Sequence, residues 1–266
     1  MNKAINGPQK ISTFNFLQKT MTYCLGIKLK DGLVGISDTR ISAGTNVTTR
    51  KKVSVHEDGS SSLFIMTSGL RSVRDKAITY FQELVADGIP YNKLFEAVNA
   101  FGEQIKRVAR EDEAELAASG YKFNLNAIVG GQLKDDKEHK LFLLYSEGNW
   151  IEMAMGSQYA IIGNSGQGKA ILNRVLDEQT TIKQALKAGF LSFDSTRVSS
   201  NDVDFPIDVV IYEKNQFNII ENRYEYDELK PVADAWAQKL HEALDEVPDG
   251  WMEKAFEQNK PKEGQV

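Results

Sequence analysis

A chain of 266 residues suits one large domain, and 41% apolar with 26% charged residues is ordinary for a soluble globular protein. The formal net charge of −5 argues against nucleic acid as the main partner, because phosphate binding needs a concentrated basic surface. One cysteine, Cys24, excludes an intrachain disulfide and a thiolate zinc site, and the three histidines, His56, His139 and His241, lack ligand spacing. No metal and no cofactor is expected. No apolar run reaches the roughly 18 residues that span a bilayer, so no membrane contact is expected and the cytoplasm is the default location.

Residues 1–21 are polar and aperiodic. They read as a disordered arm, a propeptide, or a wrongly included start, and they lack the apolar segment of a secretory signal. Regular patterning begins at Thr22. In Thr22–Lys30, Leu25, Ile27 and Leu29 alternate with Cys24, Gly26 and Lys28 as a strand should. Asp31-Gly32 is a hairpin signal, and the chain returns through a second strand to Ser37-Asp38-Thr39-Arg40. A further strand pair surrounds Asp58-Gly59. Helical spacing then covers Ser72 to Val85, and Leu94, Val98, Phe101, Ile105 and Val108 after Pro90. Four strands follow, from Phe123 to Gly163, then helices over Lys169–Asp177 and Thr181–Leu191. A last strand pair precedes a helix with Val232, Trp236, Leu240 and Leu244 on one stripe. Residues 22–256 form one expected domain, and 257–266 a polar tail. Hairpins outnumber βαβ units, so the fold class is α+β: a four-layer α-β-β-α sandwich of two largely antiparallel sheets.

An N-terminal threonine carries a hydroxyl nucleophile and, in its own α-amine, a base with a pKa near 7.7–8.0. Such a site needs a cation for the developing alkoxide, a carboxylate to hold that cation, and a backbone N–H for the oxyanion. The sequence offers each. Thr22 opens the first strand. Asp38 ends the returning strand and comes back beside it. Lys52 is long enough to bridge the two. Gly69, ending the strand Ser62–Gly69, leaves an N–H open to substrate. Lys51, on the opposite strand face, is expected to be dispensable. Replacing Lys52 is expected to lower turnover while sparing the fold.

These segments resemble the opening of proteasome β subunits and HslV-type peptidases, members of the N-terminal-nucleophile hydrolases. The Met21–Cys24 start, Ser37–Arg40, Ile162–Leu172 and Asp194–Asp208 are similar to the bacterial ancestral β subunit family, Anbu. The resemblance runs from about Met21 to Tyr224. It implies a threonine peptidase acting on peptide or protein substrates, with Thr22, Asp38 and Lys52 at its centre, assembled as a homo-oligomeric ring or ring-like spiral. Whether an ATPase partner is needed stays open. It also implies a serine supporting the threonine amine. The family's Gly-Ser-Gly reads here Gly163-Asn164-Ser165-Gly166, which leaves Asn164 or Ser165 for that role. Asp194 and Ser199 or Ser200 match later supporting positions. Met21 replaces the glycine that usually precedes the catalytic threonine. Gly69, Thr39 and Cys24 are expected to border the substrate pocket, and Cys24 lacks a histidine base of its own.

Two other readings remain. One is an assembly subunit with the fold but little catalysis. The other is a phosphate loop, because Gly163 to Lys169 matches G-x-x-x-x-G-K between a strand and a helix. Ala170 stands where that motif needs a magnesium-binding hydroxyl.

Overall fold

A computed structural model of the chain describes residues 22–43, 46–154 and 156–257. The expected arm at 1–21 and the tail beyond 257 lie outside the described residues.

Two five-stranded sheets form the body. The first has the order β10-β1-β2-β11-β12, built from β1 (Tyr23–Lys28), β2 (Gly32–Asp38), β10 (Tyr159–Gly163), β11 (Ile207–Glu213) and β12 (Ile219–Tyr224). The second has the order β5-β6-β7-β8-β9, from β5 (Val53–Glu57), β6 (Ser62–Gly69), β7 (Leu125–Gln132), β8 (Lys140–Leu144) and β9 (Trp150–Glu152). Every strand pairing in both sheets is antiparallel. Helices α1 (Arg71–Leu84) and α2 (Leu94–Ala118) cover the second sheet. Helix α4 (Ile182–Ser199), with α3 (Lys169–Val175) beside it, covers the first. The expected four-layer sandwich is the fold.

Strand alternation builds this layering directly. In β6, Leu63 and Ile65 join the core under α1 and α2, while Phe64 and Met66 face the space between the sheets. In β1, Tyr23, Leu25 and Ile27 pack under α4, while Cys24 faces the inter-sheet layer. Both faces of the central strands are therefore dry, which explains their near-continuous apolar sequence. Gly26 and Gly35 are register partners on the inter-sheet side. A Cβ on Gly26 would lie 2.8 Å from Ile128 Cγ2, and one on Gly35 would lie 3.1 Å from Met66 Cε. The two glycines let the sheets close on each other.

Two departures from the expected elements bear on the site and its cover. The segment between Asp38 and Lys52 holds a small hairpin, β3 (Arg40–Ala43) with β4 (Asn46–Thr49), which weak alternation had concealed. Helix α4 continues to Ser199 instead of ending at Leu191. Its polar second half stays helical because packing holds it: Ser192, Phe193, Asp194 and Thr196 are buried, while the hydroxyls of Ser195, Thr196 and Ser199 are satisfied by carbonyls one turn back, at Leu191, Ser192 and Ser195. The stripe of helix α5 (Tyr226–Glu246) is not buried: Leu240 is 50% and Leu244 69% exposed. The first turns of α5 meet the body through Tyr226, Leu229 and Ala233.

Overfilling the inter-sheet layer tests this packing. Gly26→Val is expected to lower unfolding free energy by about 1–3 kcal/mol, the usual cost of overpacking. Gly166→Ala, where an added Cβ meets nothing within 4 Å, should be near neutral. Urea denaturation of both variants checks the contrast.

Candidate functional site

Thr22 is fixed from both sides of its peptide unit. Its carbonyl accepts from the Asn164 N–H at 2.7 Å. The next amide, Tyr23 N–H, donates to Asp38 Oδ1 at 2.8 Å. Antiparallel pairing supplies the geometry, since β1 starts opposite the end of β10 and the end of β2. Gly163 makes the first contact possible. Its φ is +88°, and a Cβ there would lie 1.9 Å from the Thr22 carbonyl oxygen. Tyr23 anchors the strand below, its ring edge-on to Phe193 and its hydroxyl donating to Ser192 Oγ at 2.7 Å.

Asp38 Oδ1 also accepts from Lys52 Nζ at 2.7 Å. Both side chains are buried, at 0% and 3% exposure. At an effective dielectric near 20 their attraction is about 6 kcal/mol, while desolvation costs several kcal/mol for each ion. Desolvation wins at the carboxyl. Burial pushes Asp38 up to about 6, against the pull of Lys52 and of the backbone N–H groups of Tyr23 and Arg40. Near pH 7.5 the Asp38 carboxyl is ionised. The second carboxylate oxygen, Oδ2, has no hydrogen-bond partner among the described residues, and neither do the buried hydroxyls of Ser37, Ser68 and Ser200.

The structure thus brings Thr22, Asp38, Lys52 and the Gly163–Ser165 loop together. Asn164 acts through its backbone, and Ser165 follows it half-buried in the same loop. Gly69 ends β6, beyond Thr67, whose carbonyl lies 3.7 Å from Cys24 Sγ. A Cβ on Gly69 would meet the Asn124 carbonyl oxygen at 2.1 Å, at φ +137°, so strand packing by itself demands this glycine. The later positions are less united. Asp194 is held by Arg197 at 2.8 Å within α4. Ser199 is exposed and spends its hydroxyl on Ser195. Ser200 is buried.

Two expectations change. Lys52 is buried and ion-paired, so removing it strands Asp38 in the core and costs stability as well as charge. Cys24 and Thr39 are fully buried and line no opening beside Lys52. Burial also pushes the Cys24 thiol up, which makes it inert. The space next to Lys52 is instead a cavity of about 490 Å³ lined by Arg50, Lys51, Thr67 and Arg74. Arg74 was hidden in the sequence inside the amphipathic pattern of α1. A larger cavity of about 590 Å³ includes Tyr159 and Leu172. Tyr159 pairs with Ile27, at the end of β1 remote from Thr22, so this space is unconnected with the site. The glycines of the phosphate-loop match answer to packing. Gly163 makes room for Thr22, and a Cβ on Gly168 would lie 2.1 Å from Ser192 Oγ.

No family model matches the sequence, and no curated protein matches it. Solved structures do. A Gly-1 mutant of Anbu from Hyphomicrobium sp. strain MC1 is 29% identical, with a TM-score of 0.78 over 86% of this chain and 98% of that one. Anbu, the ancestral β subunit, from Yersinia bercovieri is 29% identical, with a TM-score of 0.79 over the same shares. Both of these structural neighbours of the chain are Anbu proteins. A third, from Pseudomonas aeruginosa, is described as a helical assembly of the Anbu complex; it is 28% identical, with a TM-score of 0.81 over 86% of this chain and 98% of that one. The resemblance read from the sequence is thus matched by the fold, which is that of a proteasome-type subunit.

The buried pair sets a double-mutant test. Asp38→Asn and Lys52→Met should each cost about 3–5 kcal/mol, because each strands a partner, while the double variant should cost far less than their sum. The pH dependence has a defined sign. Asp38 keeps its proton longer folded than unfolded, so its contribution to stability is fully present below pH 3.8 and is lost as pH rises through about 6. Denaturation curves should show that loss in the wild type and its absence in the double variant.

Proposed function

We propose that this chain is an N-terminal threonine peptidase subunit whose functional form begins at Thr22, acting on peptide or protein substrates in the cytoplasm. The observation that carries this reading is the shared oxygen of Asp38, which holds both the amide following Thr22 and the ammonium of Lys52. In this reading the Thr22 hydroxyl attacks the scissile carbonyl carbon and its proton passes to the Thr22 α-amine. The Lys52 cation stabilises the developing alkoxide, and Asp38 positions Lys52. The Gly69 N–H receives the oxyanion. The leaving amine takes the proton from the Thr22 ammonium, and water then hydrolyses the acyl ester by the same base. Ser165 and Ser200 are the hydroxyls proposed to orient the amine. The orphaned Ser200 hydroxyl supports it over Ser199, whose hydroxyl is already engaged.

Self-association belongs to the same reading. The exposed stripe of Val232, Leu240 and Leu244 needs a cover, and a helical assembly is recorded for the Pseudomonas protein. This also favours the second reading, a subunit that assembles without much catalysis. Sedimentation should show an oligomer that shifts toward smaller species in Leu240→Glu/Leu244→Glu. An unchanged distribution would remove the stripe from the assembly.

Labelling separates the two readings. An epoxyketone peptide reacts with a hydroxyl and an amine on adjacent carbons and closes a ring on an N-terminal threonine. The expected outcome is a stable adduct confined to the peptide that begins at Thr22, retained in Thr22→Ser and absent in Thr22→Ala. Peptide hydrolysis that persists in Thr22→Ala would refute the mechanism. An assembled protein that takes no label would leave the assembly reading.

A further inference from the structure

We propose that the cavity beside Lys52 selects an acidic substrate side chain, with Arg74 and Arg50 as its specificity-determining residues; this rests on the reading of Thr22 and Lys52 as the reacting end of the site. The cavity, about 490 Å³, is of a size that holds small ligands. Among the described residues its lining carries four cationic side chains, Arg50, Lys51, Lys52 and Arg74, against one acid, Asp75.

Two of those cations are committed elsewhere. Lys52 Nζ is on Asp38, and Lys51 Nζ is 2.5 Å from Glu221 Oε2. The positive excess therefore sits at the other two. Arg74 donates from Nε and Nη2 to Asp75 Oδ1, at 2.9 and 2.6 Å. Asp75 also accepts from Arg71 Nε at 3.3 Å. One carboxylate thus serves two guanidinium groups, and a net positive charge remains. Arg74 is only 9% exposed, so water screens that charge poorly. Arg50 is exposed at the rim.

A carboxylate entering this space meets a buried guanidinium held in place by Asp75 and a second cation at the entrance. Guanidinium–carboxylate pairs are among the strongest hydrogen-bonded contacts, and a fixed fork loses little freedom on binding. A lysine or arginine side chain meets repulsion in the same space. An apolar side chain dehydrates the Arg74–Asp75 pair and brings the guanidinium no further partner. A glutamate or aspartate at the residue whose carbonyl is attacked satisfies the cavity.

Calorimetric titration tests this without requiring turnover. Acetyl-Ala-Ala-Glu-amide, its Gln counterpart and its Lys counterpart are titrated into the purified assembled protein. The Glu peptide should bind about tenfold more tightly than the Gln peptide, the Lys peptide should bind most weakly, and added salt should narrow the differences. Arg74→Gln should erase the Glu-over-Gln ratio. Arg50→Gln, at an exposed rim where the fold is not at risk, should reduce it. Equal binding of Glu and Gln peptides, or a ratio unchanged in both variants, overturns the proposal. Epoxyketones ending in Glu or Gln then keep the two claims apart. A Glu preference in binding with Thr22 never labelled upholds the acid-binding cavity and removes the threonine mechanism. Thr22 labelled equally by both removes the acid selection and leaves the mechanism standing.

Discussion

One carboxylate oxygen organises this end of the molecule. Asp38 Oδ1 accepts from the Tyr23 amide and from the Lys52 ammonium. The first bond fixes where β1 begins, and the second fixes a cation beside that beginning. The arrangement opposes stability, since a carboxyl raised to about 6 is paying for its burial. A well-packed apolar pair in the same volume would cost less.

The rest of the fold serves to keep that corner rigid. Two apolar layers, one between the sheets and one under α4, clamp β1 on both faces. Phe193 and Ser192 of α4 seize Tyr23, while Gly163 lets β10 approach closely enough for Asn164 to hold the Thr22 carbonyl. The positioning is therefore built mainly on strands and a helix, which hold geometry better than free loops do. The cavity lined by Arg74 and Thr67 opens at the same corner, between the end of β6 and the first turns of α1.

Much of this was legible in the sequence. The alternation of Leu25 and Ile27 and the turn at Asp31-Gly32 return the chain antiparallel, and that alone sends Asp38 back toward Thr22. The order of strand and helix segments gave the layers. Side-chain burial was harder to read. Lys52 looks like a solvated lysine because nothing local records that two sheets close over it. Gly69 suggested an open N–H, but the sequence does not reveal that Asn124 packs against it. The second half of α4 was missed because Ser and Thr are poor signals for a helix interior, and the burial of Phe193, Asp194 and Thr196 that holds it is not visible locally. Arg74 was invisible as a cavity residue because one cation on an amphipathic helix has no pattern that distinguishes it from a solvated one. The α5 stripe was read correctly as apolar, yet its covering surface is not within the described residues of this chain.

The central claim is that the amine of Thr22 is free in the working protein, because an amide nitrogen cannot act as a base. The direct measurement is the intact mass and N-terminal peptide of assembled, active protein purified from its native host. The account expects a chain that starts at Thr22 with an unmodified α-amine. An active preparation containing only the chain that starts at Met1 would contradict it.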